Sequence, residues 1–387
     1  MLKYILKRFG FAIITLLIIV FVVYCLVAQF SKNPFAEKLI QKQNEGGSNG
    51  LTQQEIKELF DYSVQYHLIP KLNFNEVQTT WTQIKLNPII RFGYWIQNLF
   101  TNSENPFGAP FDLNLLKSTG SSTIPQYFFR FLKYSIIITL PAFFISACLG
   151  IALGIVAGYK RGSALDAGIN FFALFFIALP SFVIAPILIS ILFSLNFPPN
   201  FINFNNPVEV EAFGVGKMVL SWLPPILIIV LGSLSGYITY TRNQVVTVLT
   251  SNYILIAKSK GLSRKEIFFK YVLRNISIPL AAILIPSYIG LLTGGIVIET
   301  YWRVPGTSQV IAQAFPNGEI NIIMFSTVFF TSLSLATSIL VDVSYTLLDP
   351  RIKYTQANPY SYLRFAHAYY QREKLFKSYQ QQIQEGA

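Results

Sequence analysis

The side chains that carry most acid–base, nucleophilic and metal chemistry are scarce in this sequence and far apart. The 387-residue chain has two histidines, His67 and His367, and two cysteines, Cys25 and Cys148. A general acid–base pair or a metal site needs such groups to converge. Both cysteines fall within apolar runs and read as small core hydrophobes, which supports neither a disulfide framework nor a metal site. Gly214-Val-Gly-Lys217 resembles the end of a phosphate loop. However, Glu211 stands where the leading glycine belongs, and Met218 where Ser or Thr must follow the lysine. No catalytic, cofactor-binding or metal residue is assigned, and the chain is expected not to be an enzyme. Any energy the chain uses must therefore arrive from another subunit.

The remaining chemistry is concentrated in one polar stretch, Asn252 to Leu280. It carries Lys258, Lys260, Arg264, Lys265, Glu266, Lys270 and Arg274 between apolar runs long enough to cross a bilayer. Gly261 suits a helix C-terminus because it accepts positive φ without steric cost. Ser263-Arg-Lys-Glu266 is a capping box, with Glu266 well placed at a helix N-terminus. Ile267, Phe268, Tyr271 and Val272 share one face of the helix that follows. The spacing predicts a helix, a glycine turn and an amphipathic helix, a shape suited to contact something in the water. The plain alternative is a basic loop lying on the membrane surface.

The elements that must position this loop are membrane helices. The chain is 52% hydrophobic and 12% charged, against about 25% charged in soluble domains, and its mean hydropathy is positive. The net charge of +12 is read as the cytoplasmic excess of Lys and Arg that sets topology, and nucleic acid is not expected as a partner. Uncharged runs at 9–28, 134–159, 167–208, 218–241, 275–298 and 320–341 predict six spans, the third a single helix ending near Asn196. The first is expected to be retained, being longer than the apolar core of a secretory signal. Lys3, Lys7, Arg8, Lys160, Arg161 and the basic loop lie on one side, which predicts cytoplasmic termini. The fold class is therefore all-α, a polytopic membrane protein with an α-containing external insertion. Its expected parts are 1–30, an extracytoplasmic domain over 31–131, a core over 132–348 with the loop at 242–276, and a cytoplasmic tail over 349–387. Affinity for anionic membrane lipid is expected of the basic tail.

Within the insertion, Thr52-Gln-Gln-Glu55 is a second capping box, Leu51 and Ile56 could staple it, and Ile56, Leu59, Phe60 and Val64 form one stripe. A helix over 52–67 follows, with a flexible connector at Asn44–Gly50 and an irregular turn at 101–110. Gly150, Gly154 and Gly158 share one face of the second span and invite close helix packing. Prolines in spans three to five predict kinks. Ser and Thr in the last span could line a polar path or bond to their own helix, and both readings stand. Spans two to five lack ionisable residues in their interiors, which argues against proton- or sodium-coupled transport.

The pattern Tyr253, Ala257, Lys260-Gly261-Leu262-Ser263, then Leu273-Arg274-Asn275 and Pro279, resembles the permease subunits of ABC importers for oligopeptides, dipeptides and nickel. Phe92-Gly-Tyr-Trp95, the glycine-rich second span, Lys160-Arg161-Gly162-Ser163 with Asp166, Pro180-Ser-Phe182, Arg242, Glu299 with Pro305-Gly306, and Asp349-Pro350-Arg351 extend the likeness over about 1–30 and 90–353. The resemblance implies a type I importer permease of six helices. It would pair with a second, homologous permease, with two cytoplasmic ATPases that grip the loop, and with an extracytoplasmic binding protein that delivers peptide. It also implies that Tyr253, Ala257, Lys260, Gly261, Leu262, Ser263, Glu266, Arg274, Asn275 and Pro279 form the ATPase-coupling loop. Two features depart from the family. Leu255 and Ile256 stand where importers generally carry Glu and Ala before Ala257, so a Glu-mediated contact is not carried over. The segment from about 34 to 87 is also longer than usual. Nickel or another small solute is the alternative cargo, and a passive channel is the alternative from a different class.

Overall fold

The computed structural model describes residues 2–44, 52–348 and 360–385. Every described element is a helix. Helix α1 (Leu2–Phe30) is apolar on all sides through its middle, the composition of a helix sheathed in hydrocarbon. The insertion follows as α2 (Pro34–Asn44), α3 (Gln53–Gln65), α4 (Phe74–Val77), α5 (Pro88–Thr101) and α6 (Leu113–Thr119). The capping box of α3 forms in both directions. The Glu55 N–H donates to Thr52 Oγ1 at 3.3 Å, and the Thr52 N–H donates to Glu55 Oε2 at 2.8 Å. The helix stops two residues short of the predicted end because His67 takes φ +53, outside the helical region. Its apolar stripe packs on Ala36, Leu39, Ile69 and Trp81, a small core separate from the bundle. Leu51, most of the connector at 44–50 and the Asp349-Pro350-Arg351 motif lie outside the described residues.

Helix α7 (Ile124–Tyr159) is the second span. The third differs from the single helix read in the sequence. It divides into α8 (Ala164–Ala178) and α9 (Ser181–Ser194), bent by 100°. Pro180 has no N–H to continue the ladder, and its ring drives Leu179 to ψ 114, out of the helical region. Helix α10 (Pro207–Leu249) is kinked at Gly214 (φ +77, ψ 156), while Pro224 and Pro225 do not break it: both are buried, and packing against α7 holds the helix across them. Helix α11 (Asn252–Ser259) and α12 (Arg264–Ile267) flank Gly261, and α12 runs through a π-helical stretch, Phe268–Leu273, into α13 (Arg274–Thr293). After the short α14 (Ile296–Tyr301) and α15 (Thr307–Ala314), α16 (Ile320–Leu348) closes the bundle against α1 and α13, and α17 (Tyr360–Glu385) ends the chain. Among the described residues, five helices are long and apolar enough to cross a membrane, and the bent α8–α9 pair makes six.

Two ends of the bundle are distinguishable. At one, Arg8 of α1 pairs with Asp342 of α16 at 2.7 Å. The insertion, α14 and α15 gather at the other.

Candidate functional site: the helix–turn–helix between α10 and α13

The Gly261 turn is a Schellman motif. The Leu262 N–H donates to the Ala257 carbonyl at 3.2 Å and the Gly261 N–H to that of Lys258 at 3.0 Å, with Gly261 at φ +76. Two residues on, Ser263 caps α12. Its Oγ accepts from the Glu266 N–H at 3.3 Å, while its own N–H donates to Glu266 Oε2 at 3.1 Å. Two motifs set back to back, each satisfying its own helix end, make a stiff corner of a loop.

One face of this corner is built into the bundle. Ile254, Ala257, Ile267, Val272 and Ile276 are buried against Val245 and Val248 of α10, and Leu262, Phe268 and Tyr271 pack at the margin. The opposite face exposes apolar side chains: Tyr253 is 41% exposed, Leu255 55%, Ile256 56% and Phe269 63%. The π-helical turn puts an extra residue into the ladder after Ile267. Ile267 and Val272 nevertheless stay buried, as the face predicted from the sequence requires.

The sequence-derived residues divide by place. Tyr253, Ala257, Lys260, Gly261, Leu262, Ser263 and Glu266 lie together in the corner, and Arg274 and Asn275 lie at the start of α13 on its exposed side. Asn275 Nδ2 donates to the Tyr271 carbonyl at 2.6 Å, bracing the π-helical turn. Pro279 stands apart, inside α13. Gly150, Gly154 and Gly158 line the seam where α7 meets α10. A Cβ on Gly150 would stand 2.5 Å from Tyr237 Cβ, one on Gly154 2.7 Å from the Ile238 carbonyl oxygen, and one on Gly158 2.7 Å from Val245 Cγ1. At such separations only glycine fits, and the two backbones are in contact.

Further groups tie the corner to the bundle. Arg242, near the end of α10, makes a bidentate pair with Asp166 at the start of α8, at 2.6 and 2.7 Å. Asp166 also accepts from the Gly162 N–H at 2.9 Å and from Asn170 Nδ2 at 2.7 Å, so this mostly buried carboxylate has its oxygens occupied. At the far end, Glu299 on α14 accepts from Ser135 Oγ of α7 at 2.6 Å and from the Ser308 N–H at 3.1 Å. Its carboxyl sits so close over Gly306 that no side chain fits there. Glu319 accepts the Phe111 and Asp112 N–H groups at 2.8 Å each, fixing the turn that follows α5. Cutting the sequence at its charges placed Glu299 and Glu319 outside the spans and hid how deeply both are buried.

Residues 150–354 match the family described as binding-protein-dependent transport system inner membrane component. The chain is 30% identical over 365 residues to the oligopeptide transport system permease protein OppB of Mycoplasma genitalium, covering 94% of this chain and 80% of that protein. It is 30% identical to the OppB of Mycoplasma pneumoniae, over 70% of this chain and 66% of that one. With the dipeptide transport system permease protein DppB of Bacillus subtilis it shares 28% identity, over 91% of this chain and 98% of that protein. The family match contains the glycine seam, the Asp166–Arg242 pair and the whole corner, and leaves out the insertion.

Proposed function

The chain belongs to the family of binding-protein-dependent transport system inner membrane components, and from that premise we propose that it lines the path of an ATP-driven importer of oligopeptides. It is a multi-pass plasma-membrane permease component and not an enzyme. The cargo follows the names of its relatives. A second, homologous permease completes the path, and two ATPases bind ATP and magnesium on the cytoplasmic side. An extracytoplasmic binding protein delivers peptide to the other side. Both termini and the Gly261 corner face the cytoplasm, where lysine and arginine gather.

The observation that carries this reading is the two-sided corner. A loop that merely lay on lipid headgroups would turn its basic residues outward and leave its shape unspecified. This one has a backbone fixed by a Schellman turn and a capping box, one face fused to α10 and α13, and Tyr253, Leu255, Ile256 and Phe269 exposed on the other. An ATPase groove that covers those side chains buries apolar surface on a rigid handle. Movement of the ATPases would pass through the buried Ile254–Ala257–Ile267 face into α10 and α13. The glycine seam would carry α7 with α10, and the Arg242–Asp166 pair would carry α8. The apolar Leu255 and Ile256 would make this contact by burial in place of a glutamate.

The test is transport by the four-subunit complex in proteoliposomes with its binding protein. Labelled peptide should accumulate only with ATP inside the compartment that the corner faces. Uptake by this chain without any ATPase would overturn the proposal.

A further inference from the structure

A cavity of about 350 Å³ opens in the insertion, at the end of the bundle away from the corner, between the close of α1, helix α5 and the start of α16. Its wall includes Arg91, Trp95, Tyr94, Tyr24, His67 and Asn98, and no Asp or Glu. Arg91 is 7% exposed. The Tyr24 hydroxyl donates to the Arg91 main-chain carbonyl at 3.3 Å, and the Arg91 guanidinium forms no ion pair among the described residues. Burial pushes its pKa down from the ordinary value, and a guanidinium stays charged all the same. Burial also pushes the His67 imidazole down, so His67 presents a neutral ring at pH 7, stacked on Tyr94 at 3.9 Å. The Trp95 indole N–H is buried beneath the wall and has no acceptor among the described residues. The wall is firm: Asn98 Nδ2 donates to the Asn105 and Pro106 carbonyls at 3.2 and 3.1 Å, and Asn321 Nδ2 to that of Ala109 at 2.8 Å.

A buried cation without a counter-charge is costly unless a ligand supplies one. One planar guanidinium matches one carboxylate through two parallel hydrogen bonds, whereas a doubly charged phosphate would leave charge unbalanced. The aromatic wall suits side chains and peptide groups beside that carboxylate, and the volume is that of a small-ligand pocket. We infer that this cavity binds the carboxyl-terminal end of a short peptide, with the terminal carboxylate on Arg91 and the last side chains against Tyr94 and Trp95. That the cavity faces the outside, as a receiving site ahead of the path, rests on the topology proposed above. The carboxylate chemistry does not.

The experiment uses the full chain, purified with its partner permease in nanodiscs without binding protein or nucleotide. The probes are tri-alanine, tri-alanine with an amidated C-terminus, and acetate, and the readouts are calorimetric affinity and quenching of tryptophan emission. Tri-alanine should bind, and amidation or Arg91→Gln should weaken it roughly tenfold or more, as loss of a charge-assisted pair requires. Acetate should compete with tri-alanine. Equal binding of acid and amide, or no binding of tri-alanine, overturns the inference without reference to any variant. Should Arg91→Gln fail to fold, Tyr94→Ala trims the wall without touching the buried charge and should also weaken tri-alanine. ATP-driven uptake by the complete complex is scored separately. Uptake with no tri-alanine binding removes this site and leaves the importer, while binding without uptake removes the importer and leaves this site.

Discussion

The two ends of the bundle are stabilised by different means. At the corner, the helix ends are closed by residues at most five apart: Leu262 on Ala257, Gly261 on Lys258, Ser263 on Glu266. At the opposite end, the deciding bonds join residues far apart in the chain. Ser135 to Glu299 spans 164 residues and Phe111 to Glu319 spans 208. A locally closed corner holds its shape through its own bonds, which suits the proposed role of a handle for the ATPases. An end stitched by buried carboxylates depends on α7, α14, α15 and the insertion staying in register.

This contrast can be broken from either side. The largest effect is expected at the stitched end. Glu299→Ala leaves the buried Ser135 hydroxyl and Ser308 N–H without their acceptor and should destabilise the protein by about 2–4 kcal/mol, read as a lowered unfolding midpoint in detergent. Glu299→Gln, which keeps an acceptor, should lose distinctly less. Next comes the seam between the ends. Gly154→Leu forces a side chain against the Ile238 carbonyl and should destabilise by about 2–3 kcal/mol, with Gly168→Leu as a control at an open position. Gly261→Val should cost only about 1–2 kcal/mol of strain at positive φ, because a Cβ there meets nothing within 4 Å. It should insert and assemble, yet lose peptide uptake and stimulation of the ATPases. The smallest effect is a pH dependence at the α3 cap. The Thr52 N–H and hydroxyl hold the Glu55 carboxyl below its usual range. The cap's contribution is therefore present above the ordinary Glu pKa of about 4.3 and is lost as pH falls through the lowered folded value. Circular dichroism from pH 6 to pH 3 should report a small loss of helix that Glu55→Gln removes.

The same contrast explains what was legible in the sequence. Both capping boxes, the Gly261 turn and the Gly150–Gly154–Gly158 face rest on spacings of three, four or five residues, which one sequence displays directly. The prolines announced kinks in spans three to five, but not that Pro180 would break its helix by 100° while Pro224 and Pro225 would not, because proline is tolerated wherever neighbours hold the helix and burial is a tertiary fact. The carboxylates Glu299 and Glu319 looked like span boundaries, since nothing local reveals a partner 164 or 208 residues away. Arg91 left one usable trace: it precedes Trp95 by four residues on α5, so a buried Trp95 carries Arg91 inward with it.

The central claim, that an ATPase grips the exposed face of the corner, is tested most directly by cross-linking. Leu255→Cys and Ile256→Cys, each introduced with Cys25→Ser and Cys148→Ser, are treated with a short bifunctional reagent in the assembled complex. Both should yield a covalent adduct with the ATPase subunit whose amount changes with ATP, while Phe213→Cys, exposed at the other end of α10, yields none. Absence of that adduct from a complex that still imports peptide would contradict the account.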